Sequence, residues 1–371
     1  MKCVAYLFLT FVLISCAKND DSSSVESTKE VVAAPVEVKV VVVTMFEIGE
    51  DEGDTAGEFQ LWKTRAGLSE RYNFLGYKDL YFNPETGVLG LVTGIGTAKA
   101  AAAVMALGMD TRFDLSHAYW LVAGIAGFDP EDASIGSAAW AEYVVDGDLS
   151  HEIDPREMPE DWPFGYFARH SKKPFDENKP EPAGEVFKLN TELTQWAYGL
   201  TRELTLPDYP DLELARNKYT EHENARSKPK VMIGDNLAAM TFWHGTIMND
   251  WANQWVDYWT DGEGEFVSSA MEDTGTYQSL SWLSNYGKAD VERLMVLRTA
   301  SNYTMQPPGL TAIENLLAEN EGYSGLKASV ESAYLVGSTV IDALLENWEV
   351  YRDTIPGGET ANLNEAYESD D

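Results

Sequence analysis

Two apolar runs that break into glycines constrain the fold of this chain more than any other feature. Residues 88–105 read Val-Leu-Gly-Leu-Val-Thr-Gly-Ile-Gly-Thr-Ala-Lys-Ala-Ala-Ala-Ala-Val-Met, and residues 119–127 repeat the pattern as Tyr-Trp-Leu-Val-Ala-Gly-Ile-Ala-Gly. In the first run, Gly94 and Gly96 precede an alanine-rich segment that Gly108 could end. This order predicts a strand, a tight turn and a helix whose N-terminus faces the carboxyl end of the strand. Such a turn lets a ligand approach the backbone, although similar glycines also serve purely structural turns.

Strand and helix patterns alternate along the rest of the chain. We predict strands at 38–44, 119–123, 137–145 and 291–298, and helices at 190–204 and 326–348. Tryptophans at 251, 255 and 259 step by four and predict a helix that packs into the core. Six prolines disfavour a continuous helix between about 150 and 185, where we expect an inserted flap. The fold class is therefore α/β, a single domain over 38–353 with a central mixed β-sheet flanked by helices.

Both ends of the chain differ from this pattern. Residues 1–16 carry a charged start, a short apolar run and small residues, which predict a secretory signal peptide. The segment Leu13-Ile-Ser-Cys16 resembles a bacterial lipobox, and this implies lipidation of Cys16 and a lipid-anchored, exported, periplasm-facing protein. A plain signal peptide with an incidental cysteine is the alternative. Residues 17–37 read as a flexible tether and 354–371 as a loose acidic tail.

Composition excludes several classes of function. The formal net charge of −34 argues against nucleic-acid partners and anionic membrane surfaces, since both require basic patches. The two cysteines, Cys3 and Cys16, leave the folded part without a disulfide or a thiol nucleophile. The five histidines are scattered, so neither a metal site nor a cofactor is predicted. After the signal, no run of about 18 uncharged apolar residues suggests a channel.

Four short motifs carry a family resemblance when they are taken in order. They are Gly94-Ile-Gly, Gly124-Ile-Ala-Gly, Ser-Ala-Met-Glu-Asp-Thr-Gly at 269–275 and Leu-Arg-Thr-Ala-Ser-Asn at 297–302. Together they resemble the signatures of the purine nucleoside phosphorylase and nucleosidase superfamily, and the wording over about 38–350 most resembles the purine nucleoside permease family. The resemblance implies a nucleoside phosphorylase-like fold, a purine nucleoside ligand near Gly94 and the Gly124 turn, and a homo-oligomer.

The resemblance also implies roles for individual residues. Glu272 would accept hydrogen bonds from the ribose hydroxyls, with Met271 packed on the sugar, and Asn302 after Ser301 would face the base. Asparagine can donate to N7 or O6 of a purine but cannot protonate N7, which indicates either 6-oxopurines, such as inosine and guanosine, or weaker activation of the leaving base. Arg298 would support the loop around Asn302. Glu272 as a helix cap and Asn302 as a turn residue are the structural alternatives.

One departure from the superfamily concerns phosphate. Ile125 stands in the second glycine turn, where the resemblance would place a hydroxyl for phosphate, so binding or hydrolysis is favoured over phosphorolysis. Glu47 or Glu50 could then activate a water as general base. Phe242 or Trp243 could stack on the base.

Two functions use the same predicted site. The first is a nucleoside-binding protein that assists uptake together with a membrane transporter. The alternative is an enzyme that cleaves the N-glycosidic bond of purine nucleosides, and a structural lipoprotein is a third class. Fold alone does not decide among them.

Overall fold

The computed structural model describes residues 34–319 and 321–358. The predicted signal peptide, the predicted lipidation site at Cys16 and most of the predicted tether and tail lie outside these residues. The folded part begins before the predicted boundary, because Val36–Glu37 pairs with Phe113–Asp114. It also continues past 353, since Ile355 packs against the hydrophobic core.

Strands and helices alternate along the described chain. The strands are β1 (Val36–Glu37), β2 (Val40–Thr44), β3 (Glu70–Tyr72), β4 (Leu80–Asn83), β5 (Val88–Val92), β6 (Phe113–Asp114), β7 (Tyr119–Phe128), β8 (Ala138–Trp140), β9 (Tyr143–Asp146), β10 (Ser150–Glu152), β11 (Tyr166–Ala168), β12 (Val186–Lys188), β13 (Val231–Ile233), β14 (Asp235–Ala238), β15 (Phe266–Ala270) and β16 (Leu294–Tyr303). The helices are α1 (Gln60–Arg65), α2 (Thr97–Gly108), α3 (Thr191–Thr201), α4 (Pro210–Arg216), α5 (Thr246–Thr260), α6 (Asp273–Ser284), α7 (Ala312–Glu319), α8 (Leu326–Glu346) and α9 (Trp348–Tyr351). The predicted mixed α/β fold is confirmed.

Strand β7 is the branch point of the main sheet. The strand order is β12-β9-β14-β15-β7-β2-β5-β4-β3, and β16, β8 and β13 branch from β7. The first part of β7 pairs in parallel with β2, as far as Val122, and its last residues pair in antiparallel fashion with β15. Because β15 runs opposite to β7, the carboxyl ends of β2 and β15 meet over the middle of β7. Open α/β sheets place ligands at such points.

Two hydrophobic layers enclose β2. Val41 and Val43 pack in a cluster that includes residues of α2 and α6, whereas Val40 and Val42 pack in a cluster that includes residues of α8. Side chains of a strand alternate between the two faces, so helices cover both sides of the sheet, which explains the run of valines. Of the described helices, α8 is long and apolar enough to cross a membrane by length and composition, and 56% of its apolar stretch is buried inside the fold.

The second glycine motif is not the turn that the sequence predicts. Gly124 to Gly127 lie within β7 and pair with β16, Gly124 opposite Arg298. A side-chain carbon at position 124 would lie 2.2 Å from Met45 Cε and 2.5 Å from Arg298 Nη1, so the strand needs glycine for close approach. The first motif behaves as predicted: Gly94 and Gly96 have φ of +83° and +105° and lead directly into α2.

The predicted strand at 137–145 is two strands with different partners. β8 pairs with β16 and β13, whereas β9 pairs with β14 and β12. The break between them is held by Asp235, whose carboxylate accepts hydrogen bonds from the N–H groups of Glu142 and Tyr143 at 2.9 and 2.7 Å. Alternating hydrophobicity continues through the break and therefore conceals it.

The predicted flap contains the antiparallel pair β10–β11 and long loops. Phe164 and Ala168 of this segment pack in one cluster with Trp251, Trp255 and Trp259 of α5. The tryptophan stripe is therefore core, as predicted, and it anchors the flap.

Candidate functional site

A cavity of 270 Å³ opens where the ends of β2, β15 and β16 meet over β7. Its walls are formed by Met45, Phe46, Glu58, Ile95, Ile125, Ala126, Gly127, Phe242, Ser269, Ala270, Met271, Glu272, Arg298, Ser301, Asn302 and Tyr323. The volume is just below the range of roughly 300–1,000 Å³ typical of small-molecule sites. Mostly apolar walls with a few convergent polar groups are typical of such sites.

A larger groove of 740 Å³ lies elsewhere and is lined by carboxylates that include Asp129, Glu131, Asp132 and Glu265. It contains none of the predicted site residues. We therefore assign the candidate site to the smaller cavity, which collects the strand-end motifs.

Most of the predicted site residues meet at this cavity. Those on its wall are Ile125, Met271, Glu272, Arg298, Ser301 and Asn302. Gly94 and Gly124 do not line it. Gly94 shapes the turn before α2, and Gly124 gives room to Arg298. Glu47 lies outside the wall.

Arg298 is the centre of a buried ion cluster. Its side chain is fully buried and forks onto Asp273, with Nε 3.2 Å from Oδ1 and Nη2 2.7 Å from Oδ2. Nη2 also lies 3.1 Å from Glu272 Oε2, and Nη1 donates to the carbonyl oxygen of Ile125 at 3.2 Å. Arg298 therefore connects β16 with α6 and β7. None of these hydrogen bonds reaches the loop around Asn302 that Arg298 was predicted to support.

Glu272 is a buried carboxylate that retains accepting capacity. Its Oε1 accepts one hydrogen bond, from the N–H of Gly96 at 2.9 Å, while Oε2 receives the N–H of Met271 and the Arg298 guanidinium. Burial raises the pKa of Glu272, and Arg298 opposes this shift. The side chain makes no capping bond to its own helix, α6. A second lone pair on Oε1 therefore remains for a ligand hydroxyl.

Glu58 is a site residue that the sequence reasoning missed. Its carboxylate accepts hydrogen bonds from the N–H groups of Met45 at 2.6 Å and Ile125 at 2.8 Å, and only 5% of the residue is exposed. Burial raises the pKa of Glu58 to about 7; Arg298 lowers it and Glu272 raises it. No motif marks this residue, and the available signal was its place two residues before α1.

Glu47 organises the loop that carries Glu58. Its carboxylate accepts hydrogen bonds from the backbone N–H groups of Ile48, Gly57, Phe59 and Gln60. Two of these donors flank Glu58 in the chain. The predicted general base is therefore occupied by backbone donors, and it holds another carboxylate at the cavity.

Asn302 lies in β16, next to a register shift against β7 between Ala300 and Asn302, and not in a turn. Its Nδ2 donates to Glu319 Oε2 at 3.2 Å and to the carbonyl oxygen of Tyr303 at 3.3 Å, and its Oδ1 accepts from Ser301 Oγ at 2.9 Å. Burial raises the pKa of Glu319 to about 7, with hydrogen bonds from Asn315 and Asn302 opposing the shift. The sequence reasoning also missed Glu319, because this residue ends α7, which lies outside the four motifs.

Two parallel aromatic rings stand on the cavity wall. The Phe242 ring lies 6.4 Å from that of Tyr323, centre to centre, with an angle of 10° between the planes. Trp243 instead packs against Trp251 and Phe266. The geometry therefore selects Phe242 over Trp243 as the ring that can meet a ligand. Within 34–319 and 321–358, no group of three His, Cys, Asp or Glu side chains is arranged to hold a metal ion.

The family model "Purine nucleoside permease (NUP)" matches residues 37–356. The chain belongs to the purine nucleoside permease family. The match spans every strand of the main sheet and includes every residue on the cavity wall.

Two fungal proteins are among the relatives of this chain. A purine nucleoside permease of Candida albicans is 28% identical over 318 residues, which are 84% of this chain and 76% of that protein. A probable purine nucleoside permease of Schizosaccharomyces pombe is 27% identical over 289 residues, covering 74% of this chain and 80% of that protein.

Solved structures share the fold with this member of the purine nucleoside permease family. A variant of the Helicobacter pylori nucleosidase MTAN with 5′-methylthioadenosine in its active site has a TM-score of 0.50 and 14% identity, covering 83% of this chain and 99% of that chain. The 5′-methylthioadenosine/S-adenosylhomocysteine nucleosidase from the same organism, with butyl-thio-DADMe-Immucillin-A, has a TM-score of 0.50 and 13% identity over the same shares. The fold is therefore that of the nucleosidases, as predicted.

Proposed function

We propose that the cavity binds a purine nucleoside and that the protein serves purine nucleoside uptake. The observation that carries the proposal is Glu272, a buried carboxylate on the cavity wall with a free lone pair on Oε1. A carboxylate accepts a sugar hydroxyl in a strong, charge-assisted hydrogen bond. The names of the fungal relatives support uptake as the role.

The cavity suits the two halves of a nucleoside differently. We place the ribose against Met271 and Glu272, and the base against the rings of Phe242 and Tyr323 with its N7 side towards Asn302. Aromatic rings on the wall offer stacking surfaces to a planar base. The apolar wall of Ile95 and Phe46 completes the site.

Binding of radiolabelled adenosine and inosine to the purified protein, produced without residues 1–16, tests the proposal. We expect saturable binding that weakens by at least about tenfold in Glu272→Gln, because a neutral amide loses the charge-assisted bond. Glu292→Gln removes the same charge from an exposed position and is the matched control. Equal binding by both variants would contradict the assignment of the ribose to Glu272.

Uptake requires a partner in the membrane. The apolar helix α8 belongs to the core, so we propose that a membrane transporter receives the nucleoside from this protein.

We further propose that Cys16 anchors the chain by lipid to a bacterial membrane on the periplasmic side, and that the domain is a homo-oligomer. Labelling with an alkyne fatty acid in bacteria, with Cys16→Ser as control, tests the anchor, and light scattering of the soluble domain tests the oligomer.

Hydrolysis of the N-glycosidic bond is the second candidate function, and Glu58 is the observation that favours it. With a pKa of about 7, this carboxyl exchanges a proton readily near neutral pH. In the step that we propose, ionised Glu58 takes a proton from water while the water oxygen bonds to C1′ of the ribose. The bond from C1′ to N9 breaks, its electron pair leaves with the base, and the base takes up a proton from solvent. The products are ribose and the free purine.

Phosphorolysis is disfavoured by the charges at the cavity. Among the described residues on its wall, Arg298 is the cation, and Asp273 and Glu272 already bind its guanidinium. Glu58 adds a further carboxyl, so a phosphate dianion would meet repulsion.

Incubation with adenosine and inosine, with and without phosphate, distinguishes the reactions. Release of base without phosphate, lost in Glu58→Gln and retained in Glu50→Gln, would establish hydrolysis. Glu50 is a good control because it is exposed and was the other predicted base. Release only with phosphate would refute the charge argument, and binding without release would leave a nucleoside receptor.

A further inference from the structure

Asn302 is surrounded by groups that fix the orientation of its amide. Nδ2 lies within hydrogen-bond distance of Glu319 Oε2 and of the Tyr303 carbonyl oxygen, at 3.2 and 3.3 Å. A carbonyl oxygen and an ionised carboxylate only accept hydrogen bonds, so the amide atom that faces them must be the amino group. Ser301 Oγ lies 2.9 Å from the other amide atom and donates to it.

This orientation determines what Asn302 offers to a ligand. Both amino hydrogens have acceptors inside the protein, whereas Oδ1 receives one hydrogen bond and has a second lone pair. Asn302 lines the cavity. The free hydrogen-bonding capacity at this wall is therefore that of an acceptor, and not that of the N7 or O6 donor that the sequence predicts.

Side-chain amides hold Glu319 in place. Its Oε1 accepts from Asn315 Nδ2 at 2.9 Å, and Asn315 in turn lies 3.1 Å from His244 Nε2. Glu319 lines a separate chamber of 160 Å³ that shares Asn302 with the main cavity, so it lies behind Asn302 relative to the ligand. Glu319 is thus a positioning residue that acts through the Asn302 amide.

We propose that Glu319 sets the base specificity of the site by locking Asn302 as a hydrogen-bond acceptor, and that the site therefore selects 6-aminopurine nucleosides over 6-oxopurine nucleosides. On the N7 side of a purine, N7 is an acceptor in every case and the 6-amino group of adenine is the donor. In a 6-oxopurine, the oxygen at position 6 is an acceptor and would meet Oδ1 of Asn302, which is also an acceptor. This inference rests on the proposed nucleoside function and on the placement of the base at Asn302.

Three nucleosides test the specificity on the unaltered protein. Affinities for adenosine, inosine and 7-deazaadenosine are measured by isothermal titration at a pH of about 8.5, at which the Glu319 carboxyl is ionised given its pKa of about 7. We expect inosine to bind about tenfold more weakly than adenosine or worse, because an acceptor faces O6 without a donor. We expect 7-deazaadenosine to bind as tightly as adenosine, because no donor is offered to N7.

A variant tests the role of Glu319 itself. Gln at 319 can present either its oxygen or its amino group, so Glu319→Gln releases the Asn302 amide. We expect the preference for adenosine over inosine to fall to about twofold or less, chiefly through a gain in inosine affinity, which lost packing alone would not produce. Glu321→Gln, an exposed position two residues further along, is expected to keep the preference.

Each outcome distinguishes this inference from the proposed function. Inosine binding as tight as adenosine, or a large loss with 7-deazaadenosine, would overturn the acceptor role of Asn302 while leaving a nucleoside site. A preference that persists in Glu319→Gln would overturn the role of Glu319. If the protein binds none of the three nucleosides, the proposed function itself fails. The comparison of adenosine with 7-deazaadenosine needs no variant and stands even if Glu319→Gln does not fold.

Discussion

Replacement of Gly124 by alanine tests the central packing of the site. A methyl group at position 124 would lie 2.2 Å from Met45 Cε, 2.5 Å from Arg298 Nη1 and 2.9 Å from Glu58 Oε1. All three distances are shorter than a side-chain carbon tolerates to a neighbouring carbon, nitrogen or oxygen atom. Gly124→Ala therefore forces at least one of these side chains to move.

The cost depends on which neighbour can yield. The end of the Met45 side chain is flexible, but Arg298 is held by two hydrogen bonds to Asp273 and Glu58 by two backbone N–H groups. Overpacking costs about 1–3 kcal/mol, and loss of one hydrogen bond to a charged group adds about 1.5–3 kcal/mol. Alanine also restricts the conformations of the unfolded chain, which offsets about 0.4–1 kcal/mol of this destabilisation. We expect the free energy of unfolding to fall by about 2–5 kcal/mol.

Urea unfolding followed by tryptophan fluorescence and circular dichroism measures this change. Gly127→Ala is the matched control in the same strand, because a side-chain carbon there would lie 3.4 Å from both Asn302 Nδ2 and Thr304 Cγ2, an ordinary contact. We expect Gly127→Ala to stay within about 1 kcal/mol of the unaltered protein. If Gly124→Ala is equally mild, Arg298 and Glu58 are not held as described and the reasoning is wrong.

Two further predictions concern stability. Burial holds the pKa of Glu58 at about 7, above its ordinary 4.5, so between these values the folded protein keeps a proton that the unfolded chain has released. The unfolding free energy should therefore fall as pH rises through this window, by on the order of 1 kcal/mol per pH unit from this group. Urea titrations at several pH values measure this dependence, and the unfolding free energy of Glu58→Gln should change less steeply with pH. An equally steep pH dependence in the variant would contradict the burial of this carboxyl. Trp255→Ala, in the α5 stripe, should lower the free energy of unfolding by about 3–5 kcal/mol. Trp282→Ala, at an exposed position, should lower it by less than about 1 kcal/mol. Similar urea midpoints for the two variants would show that the stripe does not anchor the flap.

The sequence predicts the buried centre of the fold well because burial on both faces leaves a direct mark. The valines of β2 form an uninterrupted β-branched run, and α8 carries a long apolar stripe. Glycine is ambiguous in comparison. At Gly94 it allows a positive φ, whereas at Gly124 it makes room for side chains from other elements. The second use depends on tertiary neighbours, which the local sequence does not contain.

The same distinction separates the site residues that were predicted from those that were missed. Met271, Glu272 and Asn302 belong to segments at the ends of strands, and the topology brings these together. Glu58 and Glu319 come from a loop before α1 and from the end of α7. Their roles follow from backbone and side-chain contacts across the fold, whereas the sequence predicts Glu47 or Glu50 as the general base because both follow β2 closely in the chain.

The branch in the sheet explains why charged groups gather at this point of an otherwise apolar core. β2 pairs with β7 only as far as Val122, so the strand partner on that side of β7 ends before Ile125, while β16 continues on the other side. The N–H of Ile125 then donates to Glu58, and its carbonyl oxygen accepts from Arg298. Buried backbone groups require partners, and here side chains supply the partners that a strand would otherwise provide. The end of one strand thus creates the demand for a carboxylate and a guanidinium, and this places both groups on the wall of the cavity where a ligand can use them.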